Sequence, residues 1–322
     1  MSKVTPKAVL TGATGFIGSV VLAEFIECGT RPLVLLRAES DRRRIASLGG
    51  HFETITFQQM DDAALVAQLR RHNPEVFVHC AWRGVIGQER NADYQITENI
   101  PLTLEAVKLA AACGCRHWIG LGSHAEYGNP NCVLDEMAPT RPTTVYGKAK
   151  LAAGIAAVAL CESRGLIGTW LRVFSTYGPG DHPQWFIPYV INEFLSGRAP
   201  RLTLCEQRWD YLFVRDAAQA IVSVAEASAP GVFNLGAARA LPLKQIVETI
   251  RAELQTPLYP DYGAVPYRPD QVMHLEADVT RFKAAAAWYP QTSIEDGLRQ
   301  TIIGERERFE TAEALAQKKR HE

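Results

Sequence analysis

Short, unbroken apolar runs alternate with longer stretches whose apolar positions recur every three or four residues. Lys7–Leu10 is the first such run, and it closes on a glycine-rich turn. Val20, Val21, Leu22, Phe25 and Ile26 then follow helical spacing as far as Cys28-Gly29, and Pro32–Leu36 is a second continuous run. Runs this short between turn residues are buried strands, and a three-to-four repeat is a helix with one apolar face. The same pattern predicts a strand at Phe52–Phe57, a helix at Asp62–Arg71, a buried strand at Val76–Cys80 and a long helix at Pro101–Cys113. It continues with a strand from Trp118 to Leu121 that ends at Gly122-Ser123, a helix at Tyr146–Cys161 and a strand at Gly168–Phe174. Strands and helices in strict alternation give an α/β fold with a doubly wound parallel sheet.

Beyond Tyr177-Gly-Pro-Gly180 the texture changes, with Pro, Trp and Tyr more frequent and the alternation lost. This places the first domain at residues 1–174 and a smaller, mixed α/β lobe at 175–322. Asp216–Ala227 reads as a helix and Val232–Leu235 as an apolar strand, so residues 210–236 are expected to rejoin the first domain. Leu243–Leu254, Asp278–Ala287 and Ile294–Glu310 read as helices, with a charged, frayed end at Lys318–Glu322. No internal repeat is visible.

Composition narrows the function. The 322 residues are 47% apolar and 21% charged, enough for a sizeable core. A formal net charge of −1 provides no basic field for nucleic acid. The seven cysteines contain no CxxC pair, and Cys113-Gly-Cys115 is too tight for the common zinc spacings, so reduced thiols and no metal site are expected. Met1–Pro6 contains no apolar signal region, and the longest apolar-and-glycine run, Leu151–Cys161, is too short to span a bilayer. The expectation is a cytoplasmic protein with neither membrane nor nucleic-acid partners.

Gly12, Gly15 and Gly18 follow the first strand and open the first helix. Glycines there let the backbone turn tightly against a pyrophosphate, and the helix N-terminus offers it free N–H groups. The second strand ends at Arg37, with Ser40 and Arg42–Arg44 close by, where an acidic residue would otherwise hold the ribose hydroxyls of NAD. Arginine pairs with a 2′-phosphate, so NADP(H) is expected ahead of NAD(H). The alternative is that Arg37 stacks on adenine and either cofactor binds.

Tyr146 and Lys150 stand four apart at the head of a helix and share a face. An ammonium beside a phenol stabilises phenolate and brings the tyrosine towards useful acid/base chemistry. With Thr11-Gly-Ala-Thr-Gly-Phe-Ile-Gly18, Gly122-Ser123, Tyr146-x-x-x-Lys150 and Arg172-Val-Phe-Ser-Thr-Tyr-Gly-Pro179, the chain resembles the extended short-chain dehydrogenase/reductase family over nearly its whole length. The resemblance implies a Rossmann domain in which Ser123 holds the substrate oxygen, Tyr146 passes the proton, and Lys150 binds the nicotinamide ribose and lowers the tyrosine pKa. It further implies cofactor contacts from Gly12, Thr14, Gly15, Phe16, Ile17, Gly18, Arg37, Ala81 and Lys150. Asn99 matches the family's asparagine behind the site, or else caps the helix before Pro101.

Sugar 4,6-dehydratases of this family follow the active-site hydroxyl with an Asp-Glu pair. Here His124 and Ala125 follow Ser123, and Glu126, one place later, is expected to face a neighbouring charge or solvent. His124 is a candidate substrate contact, though a lone histidine is more often structural. In Gln207–Asp216, which resembles the family's diphosphate-gripping stretch, Trp209 takes the arginine's position and Arg208 precedes it; Arg268 matches a second family arginine. Either arginine could instead serve a surface ion pair. Ser175 replaces a sugar-contacting asparagine, and Trp185, Phe186 and Trp209 either stack on substrate or pack in a core. The resemblance therefore implies an NADPH-dependent reductase of a nucleotide-activated 4-keto-6-deoxy sugar. Cys80–Val85 and the Trp-Asp-Tyr variant resemble reductases of polysaccharide biosynthesis. The alternatives are a nucleotide-sugar 4-epimerase with tightly held NAD, a reductase of a non-sugar carbonyl, and a non-catalytic NADP-binding sensor. A homodimer through Pro101–Cys113 and Tyr146–Cys161 is expected from Ala152, Ala153, Ala156 and Ala157 and from the family's usual interface.

Overall fold

The computed structural model describes residues 5–321, with the side chains of 312, 313 and 315–321 also outside the description. The expectations for Met1–Pro6 and for the charged end Lys318–Glu322 fall wholly or partly on residues that are not described.

The chain runs β1 (Ala8–Thr11), α1 (Phe16–Glu27), β2 (Leu33–Leu36), β3 (Glu53–Thr56), α2 (Ala63–His72), β4 (Val76–His79), α3 (Tyr94–Thr97), α4 (Asn99–Cys113) and β5 (His117–Ser123). It continues through β6 (Cys132–Leu134), α5 (Val145–Ser163), β7 (Ile167–Val173), β8 (Ser175–Tyr177), α6 (Phe186–Leu195), β9 (Arg201–Leu202), β10 (Arg208–Phe213) and α7 (Val214–Ala227). The last elements are β11 (Gly231–Leu235), β12 (Ala240–Pro242), α8 (Leu243–Leu254), β13 (Asp261–Tyr262), β14 (His274–Ala277), α9 (Thr280–Ala286) and α10 (Ile294–His321).

Seven strands form one sheet in the order β11-β7-β5-β4-β1-β2-β3, and every pairing is parallel. Side chains alternate across it. Leu10, Val34, Val78, Ile119 and Leu171 pack with α1 and α7 on one face, while Val9, Leu33, Phe77, Trp118 and Trp170 pack with α2, α4 and α5 on the other. Both faces are covered, which is why the strands read as continuous apolar runs. The order reverses between β1 and β4, and a doubly wound sheet opens its ligand crevice at such a point.

The second lobe is built on a sheet in the order β12-β10-β14-β6, with β8 paired to β10 and a separate pair of β9 and β13. Its core joins Val190 and Ile191 of α6, Ile246 and Val247 of α8, and Leu298 and Ile302 of α10. The chain crosses between lobes more than once: β6 comes from the stretch before α5, and β11 lies beside β7 in the large sheet. The helix α10 continues past Glu310 to His321. Among the described residues, no helix is long and apolar enough to cross a membrane.

Candidate active site

The glycine turn after β1 presses on the loop after β4. Gly12 has φ +71°, and a Cβ there would lie 2.5 Å from Ala81 N and 2.6 Å from the Cys80 carbonyl carbon. A Cβ on Gly18 would overlap the Gly12 carbonyl oxygen. Gly15 heads α1 without a side-chain cap, so the helix offers its leading N–H groups along the turn. Thr14, Phe16 and Ile17 complete the turn as half-buried residues, and Ile17 packs on the core beneath. A side chain on Gly12 or Gly18 would push this turn out of shape, and its backbone suits a dinucleotide pyrophosphate.

Ser123, Tyr146 and Lys150 meet at the C-terminal end of β5 and the first turns of α5. Thr144 caps α5, its hydroxyl accepting the Gly147 N–H at 3.1 Å. Tyr146 and Lys150 are both buried. The Ser123 hydroxyl accepts the Ala125 N–H at 3.2 Å and stands beside the Tyr146 phenol, whose ionisation it favours. Lys150 Nζ donates to Leu121 O at 2.6 Å and sits 3.7 Å from the Trp82 ring centroid, but 5.9 Å from that of Tyr146. Burial lowers the Lys150 pKa to about 7, with the Glu126 carboxylate opposing.

In this structure the Tyr146 phenol is shifted upwards. Burial raises the Tyr146 pKa, Ser123 and Arg90 oppose the rise, and Glu126 adds to it. Lys150 is engaged by a carbonyl and an indole, with its Nζ 5.9 Å from the Tyr146 ring centroid. A second cation, Arg90, has its guanidinium carbon 4.6 Å from the same centroid.

Glu126 is buried under Ser123. Its Oε1 accepts the Ser123 N–H at 2.9 Å and the Trp170 indole N–H at 3.0 Å, and its Oε2 accepts Arg172 Nε at 2.9 Å. Arg172 also donates to the Tyr127 hydroxyl, which donates to Asn234 Oδ1 at 2.6 Å. Of the two outcomes expected for Glu126, the neighbouring charge is the one found.

Loop residues 82–91 roof the site. Asn99 lies within α4 and does not cap it; its amide donates to Arg83 O at 2.9 Å and its Oδ1 accepts the Arg83 N–H at 3.1 Å. Gln95, fully buried, donates to the carbonyls of Arg83, Gly84 and Glu89, and its Oε1 accepts the Trp82 indole at 2.8 Å. Trp82, Arg90 and Gln95 had no sequence signal beyond their nearness to β4. Their roles follow from this loop folding back over α5.

Arg37 is exposed at the end of β2 and lines a cavity of about 200 Å³ with Phe57, Met60, Asp61 and Glu105. Of its arginine neighbours, Arg43 is bound by Asp41 at 2.6 Å and Arg44 donates to Gly180 O at 2.9 Å. His124, half-buried, packs against Phe174 and the edge of Trp209; burial and then Arg90 lower its pKa to about 4. Trp209 donates its indole N–H to Ser175 Oγ at 2.7 Å, so Ser175, Trp209 and His124 form one wall next to Ser123. Arg208 points away from this group and donates to Ala240 O at 2.8 Å. Arg268 is exposed in the loop before β14.

Fold and site define an enzyme of the extended short-chain dehydrogenase/reductase type, built to hold a nicotinamide dinucleotide. The chain belongs to the NAD dependent epimerase/dehydratase family, whose model matches residues 8–236. A UDP-glucose 4-epimerase of Corynebacterium glutamicum is 25% identical, covering 93% of this chain and 97% of its own. A dTDP-4-dehydro-6-deoxyglucose reductase of Escherichia coli is 24% identical, covering 91% and 96%. Among solved structures, a dTDP-glucose 4,6-dehydratase of Bacillus anthracis in complex with NAD superposes with a TM-score of 0.79 at 21% identity, over 94% of this chain and 97% of that one. Epimerase, reductase and dehydratase share the scaffold, so the reaction must be argued from the site.

Proposed function

We propose that the protein is an NADPH-dependent 4-keto reductase of nucleoside-diphosphate 4-keto-6-deoxy sugars, working in the cytoplasm. The observation that carries this reading is Glu126. It is the only carboxylate in the turn after Ser123, and Ser123 N–H, Trp170 and Arg172 occupy its oxygens. His124 and Ala125 stand in the two places before it. The turn therefore offers no free acid and base for eliminating water from C5 and C6, and Tyr146 is left as the proton donor. Seven free cysteines suit a reducing compartment.

When bound, the cofactor supplies hydride at its nicotinamide C4. Ser123, oriented by Ala125 N–H and by Glu126, hydrogen-bonds the carbonyl oxygen. Tyr146, beside Ser123, delivers the proton to that oxygen, giving the alcohol. Lys150, with a pKa near 7, changes protonation state in the working range and can resupply the proton. Arg37 and Arg42, whose side chains have no partner among the described residues of the kind that binds Arg43 and Arg44, are assigned to the 2′-phosphate. Ser175 and His124 line the sugar side, and Arg208 and Arg268 are assigned to the diphosphate on the resemblance alone.

The test is NADPH consumption with 4-keto-6-deoxy sugars carried on dTDP, UDP, GDP or CDP. One of the four is expected to be reduced stoichiometrically. Tyr146→Phe should still bind NADPH while losing turnover by roughly a thousandfold. A second reading, a 4-epimerase, draws on the Corynebacterium relative. NAD that stays with the purified protein through gel filtration, with no net NADPH consumption, would establish it in place of the reductase.

A further inference from the structure

We propose that Cys113 and Cys115, in the turn between α4 and β5, form a redox site that a peroxide converts to an intramolecular disulfide and a dithiol reductant restores. The site lies at the far end of β5 from Ser123, and it does not depend on the reaction assigned above.

The turn brings the two side chains together. Gly114 ends α4 in the left-handed region at φ +90°; its N–H donates to Ala111 O at 3.2 Å, and the Cys115 N–H donates to Ala110 O at 3.0 Å. Paired bonds of this kind fold the residue after the glycine back over the last helical turn. The two sulfurs consequently stand 3.6 Å apart. A disulfide bond needs about 2.05 Å, so the sulfurs must close by about 1.5 Å. Gly114 is exposed, with open space where a side chain would stand, so the turn has room for that movement. Exposures of 4% for Cys113 and 6% for Cys115 favour a small oxidant over a bulky thiol.

The pair is chemically asymmetric. A hydrogen bond from Cys115 holds the Cys113 pKa below its ordinary value against the effect of burial, helped by backbone N–H groups and by Arg70. Arg70 is anchored at this turn, its Nε donating to Ala112 O at 2.8 Å. The same sulfur–sulfur bond, and then burial, raise Cys115. Cys113 is therefore the nucleophile and Cys115 the resolving thiol. Cys80 and Cys161 have no such support, and burial pushes both up to about 12. In the first step the Cys113 thiolate attacks one peroxide oxygen, the O–O bond breaks, and the departing oxygen takes a proton and leaves as water or an alcohol. Cys115 then attacks the sulfenic acid on Cys113, the S–O bond breaks, and water leaves with the Cys115 proton. Two thiols are oxidised to one disulfide, and one peroxide is reduced.

Trypsin releases both residues in one peptide, Leu109–Arg116, which contains no other cysteine. The experiment exposes the folded full chain to hydrogen peroxide, alkylates it, digests it and weighs this peptide. The peptide should be recovered unalkylated and lighter by two hydrogens, and dithiothreitol before alkylation should return it to the doubly alkylated form. The disulfide should form several-fold faster in the folded protein than in urea. In Cys115→Ser, Cys113 should stop at the sulfenic acid and be trapped by dimedone, whereas in Cys113→Ser, Cys115 should not be trapped. Three results would each overturn the proposal: a doubly alkylated peptide when the exposed Cys28 and Cys132 are already oxidised, a rate no higher in the folded protein than in urea, or equal trapping in the two variants.

Discussion

Glu126 decides more at this site than its position in the chain suggests. Removing its charge leaves Arg172 buried without a counter-ion, and breaking such a pair from one side typically costs about 3–5 kcal/mol. Glu126→Gln is therefore expected to lower the unfolding free energy by roughly 3 kcal/mol in urea melts, and to weaken turnover because Ser123 loses a charged acceptor. Arg37 carries a different consequence. A charge-assisted hydrogen bond to a phosphate is worth roughly ten- to a hundredfold in affinity, so Arg37→Asp should weaken NADPH binding by that factor and improve NADH, as read by calorimetric titration. An unchanged ratio of the two would remove Arg37 from the 2′-phosphate site. At this scale the legible residues were those whose chemistry is local in sequence: Gly12, Gly15 and Gly18 across one turn, and Tyr146 and Lys150 across one helical turn. Glu126 was visible but its partner was not, because Arg172 lies forty-six residues on. Arg90 was invisible because an arginine in a polar loop has no pattern until the loop is placed over α5.

At the scale of elements, strands buried on both faces announce themselves, and β1, β2, β4, β5 and β7 appeared within a residue or two of the apolar runs that predicted them. The second lobe was less legible. Its strands β8, β9, β12 and β13 have two or three residues each, and β10, Arg208–Phe213, mixes exposed and buried positions. Too few residues remain for a period to emerge. The β5–β7 pair carries a prediction of its own. His117 is buried between these strands with Nε2 at 2.7 Å from Thr169 Oγ1, and burial lowers its pKa from 6.5 to about 4. Below pH 6.5 the unfolded chain takes up a proton that the native state refuses until about pH 4. The stability due to neutral His117 is thus complete above 6.5 and is lost as pH falls towards 4, by about 3 kcal/mol. Asp181 and Asp210, raised to about 7 by burial, bend the whole-protein curve the other way. The clean measurement is therefore the difference between wild type and His117→Gln in urea melts from pH 7 to pH 4. Wild type should lose stability relative to the variant over that range, and parallel curves would show that His117 titrates normally.

At the scale of the whole molecule, α5 has a face that the chain itself leaves open. Of the four alanines that suggested a dimer, Ala153 and Ala157 are fully buried within the subunit, so they cannot meet a partner. They face inwards because α5 lies close on the sheet and against Trp170. The outward stripe of α5 is instead Lys148, Ala152, Ile155 and Ala159, spaced by four, three and four residues along one face. Ile155 is 65% exposed, an unusual position for an isoleucine on a helix already packed against α4. Small residues on both sides of it would let a second helix approach closely, and a two-fold pairing would set each Ile155 beside the partner's α5. Burying such a side chain is worth about 1.5–3 kcal/mol, enough for one residue to decide assembly in the micromolar range. Sedimentation at micromolar concentration is therefore expected to give a dimer, and Ile155→Glu a folded monomer with unchanged far-ultraviolet circular dichroism. The site lies at the opposite side of α5 from Ile155, so the monomer should keep its affinity for NADPH. A wild-type monomer, or a variant that stays dimeric, would move the interface elsewhere or remove it.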